Sequence, residues 1–158
     1  MKFFAAFCWL LLPLSVSAES TLPAGCQPVA VQGESVTLKS KNSKLVFIHN
    51  LTTSDLWITH PVTNAGASAG WTSRLQGGNW SALALDKPPF ILTCIESKPG
   101  HEQQVPCEGA IAVCQWSNVK IPANAQGTFW AAEDMSLPAL KAAIGGRGFK
   151  LPVKKQPG

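Results

Sequence analysis

Lys44-Leu45-Val46-Phe47-Ile48-His49-Asn50-Leu51-Thr52-Thr53-Ser54-Asp55-Leu56-Trp57-Ile58-Thr59-His60-Pro61 is the stretch that decides the fold class of this chain. Two runs rich in β-branched and aromatic residues flank a polar segment with turn chemistry, and a proline ends the second run. They read as strands over 44–49 and 56–59, joined either as a hairpin or as a corner between two sheets. The same pattern recurs outward in both directions. Short apolar runs bounded by glycine or proline predict strands over 29–31 and 35–38 around Gly33, then 71–75, 80–85, 90–95, 110–116 and 127–131. In 80–85, Trp80, Ala82 and Ala84 alternate against Ser81, Leu83 and Leu85. Runs 90–95 and 110–116 are the strongest candidates for central strands. Residues 62–70 are small and loop-like, and 96–106 read as a polar loop. One helix is expected over 136–144, with Ser136 or Asp134 as its N-cap, Pro138 in its first turn and Gly145-Gly146 as its stop. The class is all-β: an immunoglobulin-like β-sandwich of short antiparallel strands with one short C-terminal helix. It lacks the cysteine–tryptophan–cysteine pattern of true immunoglobulin domains.

The first eighteen residues have the parts of a secretory signal: Lys2, an apolar run over 3–14, and Val16-Ser17-Ala18 before Glu19. That run falls short of the roughly 20 residues needed to cross a bilayer. The expected organisation is a signal peptide over 1–18, a single domain over 19–151 and a basic flexible tail over 152–158. The mature chain is then periplasmic or secreted, with no transmembrane segment. Leu22-Pro23-Ala24-Gly25-Cys26 faintly resembles a lipoprotein signal, but Pro23 and the polar stretch 15–21 speak against lipidation. Loss of the leader removes Cys8 and leaves Cys26, Cys94, Cys107 and Cys114. In an exported domain such an even set reads as a disulfide framework. Three pairings are possible and sequence does not choose among them. The one favoured here closes the base of the 94–107 loop and ties Cys26 to Cys114. No C-x-x-C occurs, and the cysteine spacings fit no common zinc pattern.

The formal charge is +4, and the basic residues are scattered except at Arg147, Lys150, Lys154 and Lys155. Aromatic residues are not interleaved with them, which argues against nucleic-acid binding. His49, His60 and His101 form no H-E-x-x-H, and no G-x-S-x-G turn is present to present a nucleophile. Glu133-Asp134 is expected to complement the dipole of the following helix. Gly145-Gly146-Arg147-Gly148 reads as a helix stop and turn rather than a phosphate loop. No catalytic residue, metal ligand or cofactor is therefore assigned. Sequons at Asn50 and Asn79 carry no argument. Tryptophan is abundant and tyrosine absent. Trp71, Arg74 and Trp80 flank the turn Gln76-Gly77-Gly78-Asn79 and have the composition of a binding hot spot, although Trp80 also suits the core. The function expected is a non-catalytic contact with another protein. The alternative is a carbohydrate- or peptidoglycan-binding module that uses Trp71 and Arg74.

Three segments carry a family likeness: Asp55-Leu56-Trp57-Ile58-Thr59-His60-Pro61-Val62, Ser68-Ala69-Gly70-Trp71-Thr72-Ser73-Arg74-Leu75 and Gly78-Asn79-Trp80-Ser81-Ala82-Leu83. They resemble the enhanced-entry protein B family, small exported proteins of intracellular bacterial pathogens such as Legionella and Coxiella. Residues 94–107 and Gly127-Thr128-Phe129-Trp130 fit the same pattern, so the likeness spans 26–151. The resemblance implies a periplasmic or secreted factor linked to host-cell entry and virulence. Its implied partner is another envelope or host-surface protein, such as a helical-repeat periplasmic protein or a cell-envelope secretion assembly. It supplies no catalytic residues.

Overall fold

The computed structural model describes residues 22–39, 42–61, 71–86, 90–126 and 129–152. The expected leader, the 62–70 loop and all of the expected tail except Pro152 lie outside them. Among the described residues, ten strands and one α-helix follow in chain order: β1 (Gln27–Val29), β2 (Ser35–Leu38), β3 (Lys44–Asn50), β4 (Leu56–His60), β5 (Trp71–Leu75), β6 (Trp80–Leu85), β7 (Phe90–Lys98), β8 (His101–Val105), β9 (Ile111–Ser117), β10 (Trp130–Met135) and α1 (Leu137–Gly146). They build two antiparallel sheets: a central one ordered β1-β9-β3-β6-β10, and an outer one ordered β2-β7-β4-β5, with β8 paired to β7. The stretch 44–61 is thus a corner, since β3 lies in the central sheet and β4 in the outer one. The protein is a disulfide-stapled, all-β sandwich with one short C-terminal helix.

The central sheet is buried on both faces, which explains why β3 and β6 are apolar almost throughout. Val46, Ile48, Leu83 and Leu85 point into the core shared with Val36, Leu38, Leu56, Ile58, Leu75 and Leu92 of the outer sheet. The alternate residues Leu45, Phe47, Trp80, Ala82 and Ala84 form a second core with Trp116 and with Leu140 and Ile144 of α1. The small residues Ala82 and Ala84 leave room for the helix to approach.

Each disulfide belongs to one core, in the favoured pairing. Cys94–Cys107 sits between the sheets, and Cys26–Cys114 lies between the central sheet and the helix. The sulfur of Cys26 is committed to Cys114, so no thiol remains there to accept a lipid.

Four local readings are corrected. The polar loop expected over 96–106 is the end of β7, a turn at Pro99-Gly100 and β8, with Lys98 opposite His101 and Cys94 opposite Val105. Backbone pairing to β7 and the disulfide at the base hold this strand, not apolar burial. Glu133-Asp134 belongs to β10, not to the helix start, and the strand expected over 127–131 lies later than supposed. Its residues 127–128 fall outside the described ones. The strand expected over 29–31 begins earlier, at Gln27. Ser136 is the helix N-cap, without a side-chain capping bond.

Asn50 and Asp134 knit one end of the molecule. Asn50 is fully buried; its Nδ2 donates to the carbonyls of Ser54 (2.8 Å) and Leu75 (2.9 Å). Its Oδ1 accepts from the N–H of Thr52 at 2.9 Å and meets Thr52 Oγ1 at 2.8 Å. Asp134, at φ 49°, interrupts the β10 ladder and turns its carboxylate onto the β5–β6 turn. There it accepts from Gln76 N–H (2.8 Å), Gln76 Nε2 (2.9 Å) and Asn79 Nδ2 (3.0 Å). Gly77 lets this turn press against the β3–β4 corner. A Cβ there would stand 2.8 Å from the carbonyl oxygens of Thr52 and Thr53, which are backbone and cannot swing aside.

Candidate interaction face

The side chains of the outer sheet that do not enter the core form its other face. Strand registers arrange them in rows across the sheet. One row runs Arg74, Trp57, Ile95, Gln104. The next runs Thr72, Thr59, Thr93, Ser35, with the hydroxyls of Thr59 and Thr93 hydrogen-bonded to each other. Beyond it Ile91 pairs with Thr37. Trp57, Ile91 and Ile95 are each partly exposed.

Arg74 is exposed and paired with Asp55, its Nε donating to Asp55 Oδ2 at 3.0 Å and its Nη2 meeting the same oxygen. This partner pushes the guanidinium pKa further up, so Arg74 stays charged under all ordinary conditions. The Nε1 of Trp57 is buried and has no hydrogen-bond acceptor among the described residues. The face therefore joins a half-buried indole to a fixed charge pair on one side and an isoleucine on the other.

The structure divides the residues that sequence put together as a binding site. Arg74 is at the surface as expected, but its cross-strand neighbour is Trp57, which sequence reading passed over. Trp80 is only 6 % exposed and sits in the second core, packed edge-on to Phe47 with ring centroids 6.4 Å apart. It is closed to a surface ligand. Trp71 lies opposite His60 in the ladder, and its side chain is outside what the structure describes.

The histidines have separate surroundings. His49 stacks on Trp80 (centroids 4.1 Å apart, planes at 5°), and His60 stacks on Phe90 at 4.1 Å with Nδ1 2.7 Å from the carbonyl of Ile91. His101 is exposed at the start of β8. No three His, Cys, Asp or Glu side chains converge among the described residues.

Burial pushes the His49 pKa below its ordinary 6.5, a bond to the backbone of Gly78 opposes the shift, and Nδ1 is buried without a partner among the described residues. The folded state therefore takes up this proton less readily than the unfolded chain. Stability from His49 is complete above pH 6.5 and is lost as pH falls below it, towards the lowered folded pKa. Urea midpoints measured between pH 7.5 and about 5 are expected to fall more steeply for the native protein than for His49→Phe, which keeps the stack on Trp80 and cannot protonate.

No helix among the described residues is long and apolar enough to cross a membrane. No family model, curated protein or solved structure matches the chain.

Proposed function

We propose that the chain is an exported, non-catalytic binding domain. It receives another protein of the cell envelope or of a host surface on the face centred on Trp57. The observation that carries this reading is the Arg74–Trp57–Ile95 row: a partly exposed indole flanked by a charge pair and an aliphatic side chain. Aromatic and arginine anchors of this kind dominate the energetics of protein interfaces. Two disulfides suit an oxidising compartment. The resemblance to enhanced-entry proteins suggests the setting, host-cell entry and virulence, with a helical-repeat periplasmic protein or a secretion assembly as partner.

The test is photo-crosslinking in intact native cells, with the crosslinker at Thr59 beside the row. One discrete adduct is expected from the native face. Trp57→Ala with Arg74→Glu should reduce it by a factor of about thirty or more, the size of a lost hot spot. Lys141→Ala on the exposed side of α1 should leave it unchanged. Absence of a discrete adduct, or an adduct indifferent to Trp57, would count against the proposal.

A further inference from the structure

β1 ends the central sheet and β2 ends the outer sheet on the same side of the sandwich, and a cleft of about 550 Å³ opens between them. Gln32, Ser35, Thr37, Lys39 and Gln115 give it a polar wall, and no aromatic ring among the described residues lines it. Lys44 lies behind that wall. It is only 3 % exposed, yet no carboxylate among the described residues pairs with it. Its Nζ donates to Gln115 Oε1 at 2.6 Å and stands 3.4 Å from Ser117 Oγ. Burial pushes its pKa below the ordinary lysine value.

A buried ammonium with only neutral acceptors is a poor arrangement in isolation. It does fix the orientation of Gln115. Lysine has donors only, so the amide oxygen must face it. The Gln115 Nε2, which has no acceptor among the described residues, is left as a donor on the wall of the cleft, polarised by the charge behind it. Lys39 adds a second cation at the rim.

We propose that this cleft binds a small hydroxylated carboxylate of the sugar-acid class. Its carboxylate accepts from Gln115 Nε2 and Lys39, with Lys44 supplying charge from behind. Its hydroxyls meet Gln32, Ser35 and Thr37. The volume lies in the usual range for small-molecule sites. Pro28, Val29, Ala30 and Leu38 also line the cleft, but its exposed surface is mainly polar and suits an alkyl chain poorly; a lone inorganic anion would leave most of the space unfilled, and a cationic ligand would be repelled. Ser35 and Thr37, which end the rows of the outer-sheet face, also border this cleft, but Trp57, Arg74 and Ile95 do not line it, and neither reading depends on the other.

The test is an amide NMR titration of the disulfide-bonded protein with sodium glucuronate, glucose and inorganic phosphate at fixed ionic strength. Glucuronate is expected to shift Ser35, Thr37, Lys39 and both amides of Gln115 saturably, and glucose to bind at least about tenfold more weakly. Lys39→Glu, at an exposed position, should weaken glucuronate at least about fivefold, and Lys150→Glu elsewhere on the surface should not. Lys44→Met should abolish binding if it folds, and the Lys39 comparison stands without it. The proposal is overturned by any of four results: no saturable shift with glucuronate, equal binding of glucose, phosphate moving the same amides as strongly, or equal effects of the two charge reversals.

Discussion

Asn50→Asp is expected to cost the domain about 3–6 kcal/mol at neutral pH, as the carbonyls of Ser54 and Leu75 lose the Nδ2 donor and a charge is buried in place of a neutral amide. The substitution changes no volume, so the effect isolates hydrogen bonding. The carbonyls of Ser54 and Leu75 would face a carboxylate oxygen where Nδ2 now donates, while Thr52 could keep its bond to the other oxygen. Set against a typical total stability of about 5–15 kcal/mol, the loss brings the protein close to unfolding at room temperature. Urea titration gives the number, and acid gives the control. Protonation restores one donor, so the deficit relative to the native protein should shrink between pH 7.5 and about 5. An unchanged urea midpoint at pH 7.5 would show that the corner is not held through Asn50.

Removing Cys26–Cys114 by double alanine substitution is expected to destabilise more than removing Cys94–Cys107. The first bridge closes a separation of 88 residues and the second one of 13. On chain entropy alone the losses are about 4.6 and about 3 kcal/mol. The first also removes sulfur from the core beneath α1, which leaves Trp116 and Phe47 less tightly packed. Thermal unfolding of the two double variants under identical oxidising conditions measures the order directly. The four bridged cysteines are at most 8 % exposed, so reductant should act on the native protein only through unfolding.

What could be read from sequence followed from side-chain periodicity. β2, β4, β5, β6 and the first part of β7 announce themselves because one face of each must be apolar. β8 escaped because His101-Glu102-Gln103-Gln104 buries nothing; a strand held by ladder bonds and a basal disulfide leaves no hydrophobic signature. Glu133-Asp134 misled because two acids before a helix normally serve its dipole, whereas Asp134 clasps a turn 55–58 residues earlier in the chain. The third layer was latent in β6, whose two alternating sets are both buried, but a single strand does not say what covers its second face. The sites follow the same logic. Exposure of Arg74 was legible. Its meeting with Trp57, and that of Lys44 with Gln115, depends on strand register between segments 17 and 71 residues apart, which no local pattern encodes.

A sheet with cover on both sides has no cheap positions. Along β3 and β6 nearly every side chain is fitted against neighbours above or below, so random substitution there should be poorly tolerated over whole strands. Variation is channelled instead to β2, β5 and β8, where residues meet water. The parts of this molecule free to diversify are thus the ones that border its cleft and its tryptophan face, while the middle stays fixed.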